Sequence, residues 1–134
     1  MRIKKCFSFK GRINRKKYLV YQLIINIAYV ITSVYKPDNS ILNLLMGILM
    51  LTLTFIVFTK TIQRLHDINT SGIIIIIPTI LLIISELTKI DIFALIAFGF
   101  HCHLLITKGT YGPNKYGDDP LNSTTEYVTL LNES

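Results

Sequence analysis

The stretch QRLHDINTSG, residues 63–72, sets Arg64, His66 and Asp67 within one helical turn, with Ser71 and Gly72 just beyond. These types can do phosphate chemistry: an arginine fork to hold an oxyanion, an imidazole to move a proton and a carboxylate to orient it. Adjacent His66 and Asp67 diverge by about 100° on a helix, so that orientation needs a non-helical turn. Ser71 near His66 is the sole nucleophile hint, and serines are common in turns. The simpler role for such a segment is a salt-bridged helix end.

Two further stretches carry chemistry-bearing residues. In FSFKGRINRKKYL, Arg12, Arg15 and Lys16 fall at i, i+3 and i+4, with Gly11 between aromatic and basic blocks and Asn14 placed to cap a helix. With Lys60 and Arg64 they define a candidate anion basin: Arg12, Arg15, Lys60 and Arg64, countered only by Asp67 and Asp119. Arginine's bidentate fork favours phosphate there over a simple charge match, so Arg64→Lys is expected to weaken anion retention more than Lys60→Arg. In KGTYGPNKYGDDP, the turn formers Gly109, Gly112, Pro113, Asn114, Gly117 and Pro120 predict an ordered loop carrying Tyr116 and Asp119. Its glycines lack the spacing of a phosphate-binding P-loop, and its acids lack that of a calcium loop.

No metal site is expected. His101 and His103 stand two apart, so on a helix they point about 200° from each other and read as core or interface residues. Cys6 and Cys102 form no metal-like pair and read as unpaired thiols. No cofactor is implied.

These stretches must be positioned by the apolar segments that separate them. The chain has 134 residues, 51% of them hydrophobic, and a net charge of +6. Residues 18–35, 41–59, 72–88 and 92–107 are the apolar segments, followed by a tail over 108–134. A 19-residue helix over 41–59 spans roughly 29 Å, close to a bilayer's hydrocarbon thickness. Neither of the first two segments has a solvated charged face, which a helix of a soluble bundle would need. The expected fold is all-α, an integral membrane domain of four helices, two long and two short. Pro78 lies in the first turns of the third and should delay or kink it. The second helix should run about two turns past residue 59, setting Lys60, Arg64 and Asp67 along one side.

The basic residues set an orientation. Eight precede residue 18; Lys60 and Arg64 follow the second segment, and Lys108 and Lys115 the fourth, which makes twelve on one side against Lys36 and Lys89 on the other. The positive-inside rule then makes both termini cytoplasmic. It also brings the three polar stretches to one face, where Arg12, Arg64 and the 109–120 loop should meet. Charges that flank apolar runs point to a bilayer rather than to nucleic acid.

The ordered trio FSFKGRINRKKY, QRLHDINTSG and GTYGPNKYGDDP resembles the DUF805 family of small bacterial inner-membrane (YhaH-like) proteins across nearly the whole chain. The positions that match are Phe9, Gly11, Arg12, Arg15 and Tyr18, then Arg64, His66, Asp67, Ser71 and Gly72. In the third motif they are Gly109, Gly112, Asn114, Tyr116, Gly117, Asp119 and Pro120. The chain departs at Leu19, Ile73 and Ile74, where the family has tryptophan, and at Gln63, where it has a first arginine. The resemblance implies fold and an inner-membrane location but no chemistry.

Three functions follow as expectations. The first is a non-enzymatic membrane module whose polar cluster binds an anionic lipid headgroup or a membrane-protein partner, including a second copy of itself. The second is a membrane enzyme acting on a lipid-linked phosphate through His66, Asp67 and Arg64. The third is a subunit of a small transporter, which four spans would permit only in an oligomer.

Overall fold

A computed structural model describes residues 8–35 and 37–121. Cys6, Lys36 and the tail from 122 onward, which figure in the expectations above, lie outside the described residues. The elements are α1 (Arg15–Val34), α2 (Ser40–Asp67), a 3-10 turn (Gly72–Ile75) that leads into α3 (Ile76–Thr88), and α4 (Asp91–Ile106). The fold is all-helical, and the described residues hold no strand beyond an isolated bridge between Asn114 and Gly117.

Local chemistry sets the boundaries. Asn14 caps α1 by accepting from the Lys17 amide at 2.9 Å. Asn39 caps α2 through the Ile41 and Leu42 amides. That helix runs 28 residues without a break, roughly 42 Å, and overshoots its apolar segment by the two turns expected. Ser71 caps the 3-10 turn, and α3 starts only at Ile76, two residues before Pro78. A proline there gives up an amide that the first turn would leave unpaired anyway. α3 and α4 close as a hairpin at Lys89, whose φ is 58°.

Helices α1 and α2 are long and apolar enough to cross a membrane; α3 and α4 are shorter apolar helices. Leu44, Leu45, Ile48 and Leu51 of α2 are all more than half exposed, as are Val30 and Ile31 of α1. Water penalises such a surface, whereas hydrocarbon does not. The buried core lies instead at one end, where Ile13, Tyr18, Leu65, Ile75 and Leu104 pack together.

Candidate functional site

That buried end is a polar head, built by α2's last two turns, the N-terminal strap over 8–14 and the loop after α4. The three motifs expected on one face do meet here.

Asp67 sits at the centre. Its Oδ1 accepts from Arg12 Nε at 3.1 Å, and its Oδ2 accepts from Arg64 Nη1. All three side chains are almost completely buried. Burial pushes the Asp67 carboxyl upward, and the charges of Arg64 and Arg12 pull against it. A carboxylate between two guanidiniums is the arrangement in which such groups tolerate burial.

The rest of each fork goes to backbone carbonyls. Arg12 Nη1 donates to Gly112 O at 2.7 Å and Gly117 O at 3.2 Å, and Nη2 donates to Thr110 O at 2.6 Å. Arg64 Nε donates to Leu104 O at 2.9 Å, and Nη2 donates to Thr107 O. Arg64 thereby caps α4, whose last carbonyls have no partner within the helix and which favours a cation at that end. The loop repays this to α2. The Thr110 amide donates to Asp67 O at 2.8 Å, and Asn114 Nδ2 donates to His66 O at 2.9 Å.

Two glycines are fixed by close approach. A Cβ on Gly109 would stand 2.2 Å from Asp67 Oδ2, and one on Gly72 would stand 2.6 Å from Ile62 Cγ2. Asp119 braces the loop by accepting from the Gly112 and Leu121 amides, each at 2.9 Å. The bond from Leu121 leads in holding that carboxyl below its ordinary range.

His66 faces another way. Its Nδ1 lies 3.3 Å from Gly11 O, and because a carbonyl only accepts, Nδ1 carries the proton. Its ring stacks on Tyr116 with centroids 3.9 Å apart. Burial holds its pKa below the ordinary histidine value. Asp67 spends both oxygens on arginines, so it does not orient His66.

Arg12, Lys60 and Arg64, three of the four cations expected around an anion basin, thus turn inward. Lys60 donates to Gln63 Oε1 at 3.0 Å and lies over the Tyr21 ring. Arg15 alone of the four is exposed. It lines a cleft of about 410 Å³ with Lys16 and Lys108, and the buried Arg64 and Asp67 stand behind them. The same cleft reaches Gly109, Asp119 and Pro120. Ser71 is exposed and spent on its cap. His101 faces α1, and His103 points outward beside Thr107.

Several contributors escaped the reading of residue types. Thr110, Leu104 and Thr107 act through backbone carbonyls, which no residue type announces. Gln63, which departs from the family's arginine, straps the N-terminal segment by donating to Ser8 O at 2.6 Å and Lys10 O at 3.0 Å. Lys16 and Lys108 line the cleft, but their charge alone did not separate them from ordinary flanking lysines.

Known proteins resemble the chain along most of its length. The Escherichia coli (strain K12) protein named "Inner membrane protein YhaI" is 32% identical, with 88% of this chain and 90% of that protein covered. The protein of the same name in Escherichia coli O157:H7 matches equally well. No solved structure matches. The profile of the family described as "Protein of unknown function (DUF805)" matches residues 6–118, which includes the first two motifs and the third as far as Asp118, and the chain belongs to that family.

Proposed function

We propose that the chain is a multi-pass inner-membrane module whose cytoplasmic head presents a cleft for an anionic lipid headgroup. The observation that carries this reading is a division of labour among the cations. Arg12, Arg64 and Lys60 are buried and bound to the protein's own groups. Arg15, Lys16 and Lys108 surround an open cleft, and their side chains make no hydrogen bond among the described residues. Buried Arg64 contributes field there, while Arg12 and Lys60 hold the frame. The relatives' name supplies the inner membrane, and the uneven distribution of basic residues turns the head toward the cytoplasm.

Basic residues near an anionic leaflet contribute about 1 kcal/mol each, so losing Arg15 and Lys108 together should weaken lipid retention about thirtyfold. Native mass spectrometry of the protein in mild detergent, titrated with phosphatidylglycerol, measures this on Arg15→Gln/Lys108→Gln against wild type. Equal retention by both overturns the cleft as a headgroup site. Orientation is tested separately in a cysteine-free background. An impermeant thiol reagent applied to the periplasmic side should label a cysteine at position 38 and spare one at 115, and the reverse pattern overturns it.

A further inference from the structure

Helices α1 and α4 meet along a seam, and the basic cleft is only its upper part. A second cavity of about 330 Å³ lies farther along the same two helices, walled by Leu19, Leu23, Phe98 and Leu105. The cavities share one stripe. On α1, Arg15, Leu19, Gln22 and Asn26 fall at i, i+4, i+7 and i+11. On α4, Phe98, Cys102 and Leu105 lead toward Lys108 with the same periodicity.

At the upper end of the lower cavity is a small polar network. Gln22 Nε2 donates to the Tyr18 hydroxyl at 2.6 Å and lies 3.1 Å from His101 Nδ1, and that hydroxyl lies 2.8 Å from the same Nδ1. An amide nitrogen only donates, so Nδ1 is an acceptor and the ring proton sits on Nε2. Among the described residues no protein group takes the Nε2 proton. No buried polar side-chain atom among the described residues lacks a partner, so Nε2 reaches the cavity that His101 lines.

Depth says what that donor meets. Gln22 lies seven residues beyond Arg15, roughly 10 Å along the helix, and each interfacial layer of a bilayer is about 5–8 Å thick. The donor therefore stands at the hydrocarbon boundary, within reach of the phospholipid ester carbonyls that mark it. Ionisable side chains at that depth mark sites more often than packing.

We propose that the α1–α4 seam is one continuous site for a whole diacyl anionic phospholipid. The phosphate lies among Arg15, Lys16 and Lys108, an ester carbonyl accepts from His101 Nε2, and an acyl chain runs past Leu19 and Phe98. This rests on the headgroup reading above and adds the ester and chain contacts. The chain itself gains little, because the bilayer it leaves is equally apolar. Discrimination comes from the hydrogen bond.

The test compares diester phosphatidylglycerol with its diether analogue, which has the same headgroup and chains but no ester carbonyl. One hydrogen bond predicts that wild type retains the diester about twofold to tenfold better in native mass spectrometry. His101→Phe should erase that preference while still retaining both lipids through the head cleft. Cys102→Phe, which fills the lower cavity, should weaken both. Equal retention of diester and diether by the wild type overturns the seam proposal and needs no variant to fold. If Arg15→Gln/Lys108→Gln then still loses both lipids, the headgroup site stands alone. If that variant retains them, the headgroup reading fails as well.

Discussion

The two ends of α2 reverse the usual pattern of a globular protein. In its first half leucines and isoleucines lie bare, with Leu44 at 64% and Leu51 at 73% exposure. In its last two turns Thr61, Gln63, Arg64 and Asp67 are buried alongside Leu65, with Arg64 at 0%. The difference teaches what the surroundings demand. Hydrocarbon solvates apolar side chains as well as a protein core does, so that half needs few partners. A charge buried in the head has no bulk water, so its donors must find acceptors within the chain. The last two turns bury polar groups whose bonds hold the head, beside the small apolar core that Leu65 joins.

If so, the largest effect of any single change should come from Asp67. Asp67→Ala leaves two buried guanidiniums facing each other without their shared carboxylate. Breaking a buried pair in this way costs about 3–5 kcal/mol. Unfolding of the purified protein in detergent should show the loss, and limited proteolysis should cut the 109–121 loop early. A stable Asp67→Ala protein with an intact loop would break the comparison, since the head would then be held by something other than this carboxylate.

A smaller effect is expected at Gly109. A methyl there meets Asp67 Oδ2 at 2.2 Å, and overpacking of this kind costs about 1–3 kcal/mol. Gly109→Ala should lower the melting temperature, with the loop pushed off the α2 terminus. Gly47 of the exposed half supplies the contrast, because a Cβ there meets nothing within 4 Å. Gly47→Ala should be neutral or slightly stabilising.

The head should also respond to pH, through His66. Burial depresses its pKa in the fold below the ordinary 6.5. Above that value the ring is neutral in both states and the fold keeps its full stability. As pH falls below 6.5, the unfolded chain takes up a proton that the fold resists, and stability declines until the folded ring protonates. Melting temperatures between about pH 8 and about pH 5 should fall for wild type and fall less for His66→Gln. Identical slopes would show that His66 is not what couples the head to protons.

How much of this was legible in the sequence depends on what signals each part. The helices were, because composition and length mark them: the segment 72–88 became a 3-10 turn plus α3, and 92–107 became α4 almost unchanged. The meeting of the three motifs followed from placing them on one face. The internal use of Arg12 and Arg64 did not. Arginines that bind a ligand and arginines that bind backbone carbonyls have the same spacing, and the acceptors at Leu104, Thr107, Thr110, Gly112 and Gly117 have no side-chain signature. The seam was hidden for a related reason. Tyr18 and Gln22 of α1 lie 83 and 79 residues from His101 of α4, and only packing brings them together.

The smallest expected effect is the sharpest test of the contrast between the two ends. Leu45 and Leu65 lie on the same helix, at 56% and 1% exposure. Leu65→Ala empties a packed site and should cost about 2–5 kcal/mol. Leu45→Ala exchanges one helix-favouring apolar residue for another on a face that meets hydrocarbon. Leucine and alanine differ little in helix propensity, and the lost side chain leaves no cavity, so the cost should stay within about 0.5 kcal/mol. Unfolding of both variants in the same lipid nanodisc measures the difference directly. A cost at Leu45 comparable with that at Leu65 would mean that the bare half of α2 packs against protein after all. In a chain of this size a second copy is the simplest source of that surface, and the loss at Leu45 would then grow as protein concentration rises.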